Sequence, residues 1–126
     1  MLGSCNVVAF VPTVQPERAR TFYETVLGLR FISSDEYAMM FEANGVRLRI
    51  ASVREFTPDP FTILGWLVPD IAGMIHDLTK KGVVFERYGF LNQDELGICT
   101  FPSGGKVAWF KDPDGNTLSL TQSDTM

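Results

Sequence analysis

The most constraining feature of this sequence is that one order of elements is written twice, about 55 residues apart. A strand-like run leads into a helical run, a glycine stop and several short β-rich segments, with Gly28 as the stop the first time and Gly82 the second. Glycine just past a helix can take the left-handed conformation that closes the last turn without a Cβ clash. Two copies are too few for a solenoid, which needs at least three repeats to bury its faces. Two βαβββ modules can instead cover each other's apolar faces, which makes the chain an α+β protein. The expected boundaries are module one at 5–53, a linker at 54–60 carrying Pro58 and Pro60, and module two at 61–122, all within a single domain, 1–126.

Apolar and β-branched residues predict a strand over 6–12, closed by Pro12. Pro16 suits a first helical turn, and Ala19, Phe22, Tyr23, Val26 and Leu27 recur at helical spacing, so a helix is expected over 16–27. Strands are expected next at 29–33, 37–42 and 46–52. In the second half a strand is expected at 61–68, then a helix at 71–81 capped by Asp70, with Ile71, Met74, Ile75 and Leu78 on its buried side. Strands at 83–87, 97–101, 106–110 and 117–121 complete the set.

Turn chemistry sets the register. Asn44-Gly45 predicts a two-residue type I′ hairpin pairing Glu42 with Arg47, Phe41 with Leu48 and Met40 with Arg49. Alternation then places Tyr37, Met39, Phe41, Val46, Leu48 and Ile50 on the helix-covered face, and Ala38, Met40, Glu42, Arg47 and Arg49 on the other. By the same counting Gly104-Gly105 pairs Thr100 with Trp109. Trp66 falls on the helix-facing side of its strand. In Asp112-Pro113-Asp114-Gly115-Asn116, Pro113 presets φ, Asp112 can accept backbone donors and Gly115 supplies a positive φ.

Composition excludes several classes of function. A net charge of −4 without a Lys/Arg cluster argues against a nucleic-acid partner. No apolar run approaches the roughly 20 residues of a spanning helix, so no membrane partner is expected. Cys5 and Cys99 are too few for a disulfide framework and read as small core fillers in a reducing cytoplasm. His76 is the sole histidine and reads as a solvated helix residue, leaving no Ser or Cys with a histidine base.

The run Phe22-Tyr23-Glu24-Thr25-Val26-Leu27-Gly28-Leu29 and the loop Asp112–Asn116 resemble signatures of the vicinal oxygen chelate superfamily, which includes glyoxalase I, bleomycin-resistance proteins and extradiol dioxygenases. The resemblance spans residues 6–121 and implies a curved, mostly antiparallel sheet around a concave cavity. In metal-dependent members four strands each give one His or Glu to that cavity. The matching positions here are Val8, Arg49, Ile63 and Ser119. None offers a carboxylate or imidazole, and a fixed guanidinium repels a cation. The expectation is therefore no metal and no cofactor.

The resemblance and the missing ligands together imply a metal-independent small-molecule-binding protein, with Phe10, Met40, Arg47, Arg49, Ile63, Trp109 and Ser119 lining the cavity. Drug sequestration is one possible use of such a site. Arg49 has two readings: a member of a structural ion pair, or a fork for a ligand's carboxylate or phosphate. The alternatives are a lyase, isomerase or dioxygenase-like enzyme using Glu42, Glu86, Asp94 or Glu95, and a scaffold whose cavity has closed. A homodimer is expected, with Phe90, Phe101 and Trp109 available to its interface.

Overall fold

The Asn44-Gly45 turn forms as its residue types require, with φ of 48° and 86°. In the computed structural model, which describes residues 1–123, this hairpin sits in the first of two compact units, Met1–Pro58 and Asp59–Met126. The first unit contains β1 (Val8–Thr13), α1 (Pro16–Arg20), a π-helical continuation over Thr21–Val26, β2 (Arg30–Ser34), β3 (Ala38–Ala43) and β4 (Val46–Ser52). Its sheet runs β1-β4-β3-β2, with β1 parallel to β4 and the other pairs antiparallel. Met40 lies opposite Arg49 and Glu42 opposite Arg47, the register that the turn dictates. Val11, Met39, Phe41, Leu48 and Ile50 are buried with Ala19 and Tyr23 of the helix, and the Tyr23 and Phe41 rings lie 6.2 Å apart. Fully burying a Val, Leu, Ile, Phe or Met side chain stabilises by roughly 1.5–3 kcal/mol.

The second unit repeats the topology with β5 (Thr62–Leu67), α2 (Ile71–Lys80), β6 (Cys99–Thr100), β7 (Lys106–Lys111) and β8 (Thr117–Gln122), in the order β5-β8-β7-β6. Asp70 caps α2 by accepting the Gly73 N–H. Ile71, Ile75 and Leu78 bury one side of α2, while Met74 is half-buried. Trp66 stacks on Phe110, with ring centroids 6.4 Å apart, on the same face as Leu118 and Leu120. The loop after β7 closes as its residues predict: Asp112 Oδ1 accepts from the Asp114 and Asn116 N–H groups, and Gly115 has a φ of 87°. No helix among the described residues is long and apolar enough to cross a membrane.

Several expectations need correction. Pro12 does not close the first strand but lies inside β1, at the end of the sheet's strand order, where a missing N–H is tolerated. The helix from Pro16 remains α-helical only to Arg20; it then widens, and the Leu27 N–H reaches back five residues to the Phe22 carbonyl. Tyr37 and Val46, placed on the covered face, are 67% and 47% exposed: Tyr37 lies in the bend just before β3, and Val46 is the first residue of β4. Cys5 is exposed, whereas Cys99 is buried.

The largest departures are in the second unit. Residues 83–87 form no strand and contribute only an isolated bridge between Phe85 and Phe110. Gln93 supplies the bonds a ladder would have made: Oε1 accepts the Tyr88 N–H, and Nε2 donates to the Glu86 and Gly97 carbonyls. Thr100 pairs with Lys106 rather than Trp109. The connection there is longer than two residues, since Phe101 exchanges bonds with Gly104 and Gly105.

Candidate functional site

On the first sheet, the face turned away from the helix carries two short rows of side chains. In one, Phe10, Arg49, Met40 and Ser33 are successive neighbours across β1, β4, β3 and β2. In the next, Val8, Arg47, Glu42 and Arg30 occupy the same four strands. Apolar residues thus border both arginines on the β1 side, where Phe10 is 63% exposed.

Charge on this face is unevenly neutralised. Arg30 Nη2 donates to Glu42 Oε1 at 2.8 Å, a short charge-assisted bond. Arg47 Nε lies 3.9 Å from the same oxygen, close enough for attraction but too far for a hydrogen bond. Arg49 is half-buried and has no ion pair or hydrogen bond among the described residues. Its field does reach Asp35, whose carboxyl is held below its usual range first by the Tyr37 and Ala38 N–H groups and only last by Arg49.

The second sheet has a matching row in Gly65, Ser119 and Trp109, which register makes the counterparts of Phe10, Arg49 and Met40. Ser119 is buried, and a Cβ at Gly65 would lie 2.8 Å from its Oγ, so any larger residue at this strand position requires the serine hydroxyl to shift. Trp109 is half-buried with its ring edge-on to Tyr88 at 5.5 Å. Burial raises the Tyr88 phenol above its ordinary range, with Glu86 adding to the effect.

Of the seven residues expected to line a site, Phe10, Arg49 and Met40 are adjacent, Arg47 is in the neighbouring row, and Trp109 and Ser119 are paired. Ile63 lies at a β-bulge, where the β5–β8 register slips between Thr62 and Leu64. Arg30, Gly65 and Tyr88 were not anticipated. The Arg30–Glu42 pairing can be traced to strand register, but Tyr88 reaches Trp109 from a loop that the sequence pattern presents as a strand.

The donor set does not fit the superfamily's metal. Val8 and Ile63 are apolar, Arg49 is cationic, and Ser119 offers a neutral hydroxyl. Among the described residues no group of three or more His, Cys, Asp or Glu side chains could hold a metal ion.

No family model matches the sequence, and no curated protein matches it at significant sequence similarity. Solved structures do match. Lactoylglutathione lyase from Agrobacterium tumefaciens superposes with a TM-score of 0.74 at 12% identity, covering 97% of this chain and 96% of that one. A glyoxalase/bleomycin resistance protein/dioxygenase superfamily member from Sphaerobacter thermophilus gives 0.74 at 19% identity over 98% and 100%. An integron cassette protein from the mobile metagenome of Halifax Harbour sewage outfall gives 0.71 at 19% over 95% and 99%. At such identities the likeness establishes architecture: this chain has the tandem βαβββ fold of the glyoxalase/bleomycin-resistance/dioxygenase superfamily, with residues at the usual ligand positions that do not suit a metal.

Proposed function

We propose that this protein binds a small anionic molecule, without a metal, on the face of the first sheet that carries Phe10, Met40 and Arg49. The observation behind this reading is the half-buried Arg49 guanidinium with no ion pair among the described residues. A permanent charge sheltered from water calls for a counter-charge, and none among the described residues lies within ion-pair distance. A ligand carboxylate or phosphate would meet that need through a bidentate bond. The fixed positive charge then takes the anchoring part that a metal plays in metal-dependent relatives. We further propose that the protein is a cytoplasmic homodimer, a location in keeping with Cys5 and Cys99 as free thiols.

A thermal-shift screen of small organic anions tests the reading. A specific ligand at 100 times its dissociation constant should stabilise the fold by about 2.7 kcal/mol. The gain should vanish in Arg49→Met; stabilisation unchanged by that substitution would refute the anchor.

A further inference from the structure

We propose that the ligand on this face is a small dicarboxylate with an apolar body, one carboxylate held by Arg49 and the other by Arg47, and that Arg30 keeps Arg47 available by engaging Glu42. The proposal rests on the reading of Arg49 given above. Arg47 and Arg49 are two residues apart on β4 and project from the same face, so their Cα atoms are about 6.7 Å apart. That separation suits two anionic groups on one molecule better than two oxygens of one group. Neither guanidinium has a hydrogen bond among the described residues. On their β1 side, Val8 and Phe10, 41% and 63% exposed, offer an apolar strip to the body joining the two carboxylates.

Glu42 is the internal competitor. It sits opposite Arg47 on β3, yet its Oε1 bonds to Arg30 at 2.8 Å and stands 3.9 Å from Arg47 Nε. Arg30, 64% exposed at its side chain, is therefore a positioning residue: it holds the carboxylate on the β2 side and leaves the Arg47 fork open toward β1. Without Arg30, Glu42 is free to close on Arg47 and compete with the ligand.

Calorimetric titration of the full chain with benzene-1,4-dicarboxylate and with benzoate tests this at low ionic strength, where surface charges are least screened. The diacid should bind at least tenfold tighter than benzoate. Arg47→Met should bring the diacid to the affinity of benzoate, whereas Arg49→Met should weaken both. Glu42→Gln should tighten the diacid several-fold. Arg30→Met should weaken the diacid while leaving benzoate unchanged, and Arg30→Lys should restore it; a merely structural role for Arg30 would move both affinities together. Equal binding of the two acids, no binding of the diacid at millimolar concentration, or an unchanged diacid-to-benzoate ratio in Arg47→Met would overturn the proposal. If benzoate affinity still falls in Arg49→Met, the anchor reading survives that failure; if Arg49→Met changes nothing, both fall together.

Discussion

Arg49 projects from the middle of β4 between Phe10 and Met40, and no carboxylate lies within ion-pair distance of it among the described residues. Arg49→Met should therefore leave the ligand-free fold as stable as before or slightly more so, since no partner is stranded. Urea unfolding measures this, and a loss of about 3–5 kcal/mol would instead reveal a structural ion pair. Asp35 gives a pH-dependent prediction. Its carboxyl is lowered by the Tyr37 and Ala38 N–H groups, so its stabilising contribution is present above the unfolded pKa, about 3.9, and is lost as pH falls through the lower folded value. The stability advantage of the wild type over Asp35→Asn should hold at pH 6 and shrink below about pH 4 in a series of urea melts. Arg49 could be placed from sequence because Asn44-Gly45 permits one register. Whether a carboxylate from elsewhere reached it could not be read, because that depends on side chains brought together only by folding.

Local chemistry separates the elements that were legible from those that were not. The β3–β4 hairpin, the Asp70 cap and the Asp112–Asn116 loop each depend on residues within a few positions of one another, and each forms as expected. The expected strand at 83–87 fails because Val83, Val84 and Phe85 carry strand propensity while Gln93, in the next loop, satisfies the neighbouring backbone. Gln93→Ala should leave the Tyr88 N–H and the Glu86 and Gly97 carbonyls without this partner and destabilise by about 1–3 kcal/mol. Hydrogen exchange should accelerate at Tyr88 more than at the amides of β7 and β8. Equal acceleration throughout the unit would mean that the loop is not an independent element. The Gly104-Gly105 register misled for a related reason: a glycine pair marks a turn but not its length, and here the bonds of Phe101 to Gly104 and Gly105 close a longer connection.

At the scale of the whole molecule, the duplication was readable because each copy carries its own helix stop and hairpin signals, and both units share one strand order. Ligand identity was not, since it depends on a few side chains grafted onto a common fold. Two expectations belong to this scale. Purified protein should carry no stoichiometric zinc, nickel, iron or manganese, and a chelator should not shift its melting temperature; one tightly held divalent ion per chain would contradict the donor chemistry of Val8, Arg49, Ile63 and Ser119. The protein should also run as a homodimer in light scattering at micromolar concentration. Phe90 and Phe101, 84% and 40% exposed, are apolar surfaces for that contact, and a stable monomer would leave them unexplained.

The contrast between Phe10 and Gly65 bears on how this protein can change. The two residues occupy equivalent places in the two sheets, but Phe10 projects freely while Gly65 has Ser119 Oγ where its own Cβ would be. Variation at Phe10 can alter shape and apolar area without disturbing the sheet, so a library or a lineage exploring new ligands can sample it one substitution at a time. At Gly65 even alanine requires the buried Ser119 hydroxyl to move, so the same search meets resistance there. At these equivalent positions the duplicated halves therefore differ in evolvability: the first takes a new side chain directly, and the second must displace a buried hydroxyl to do so.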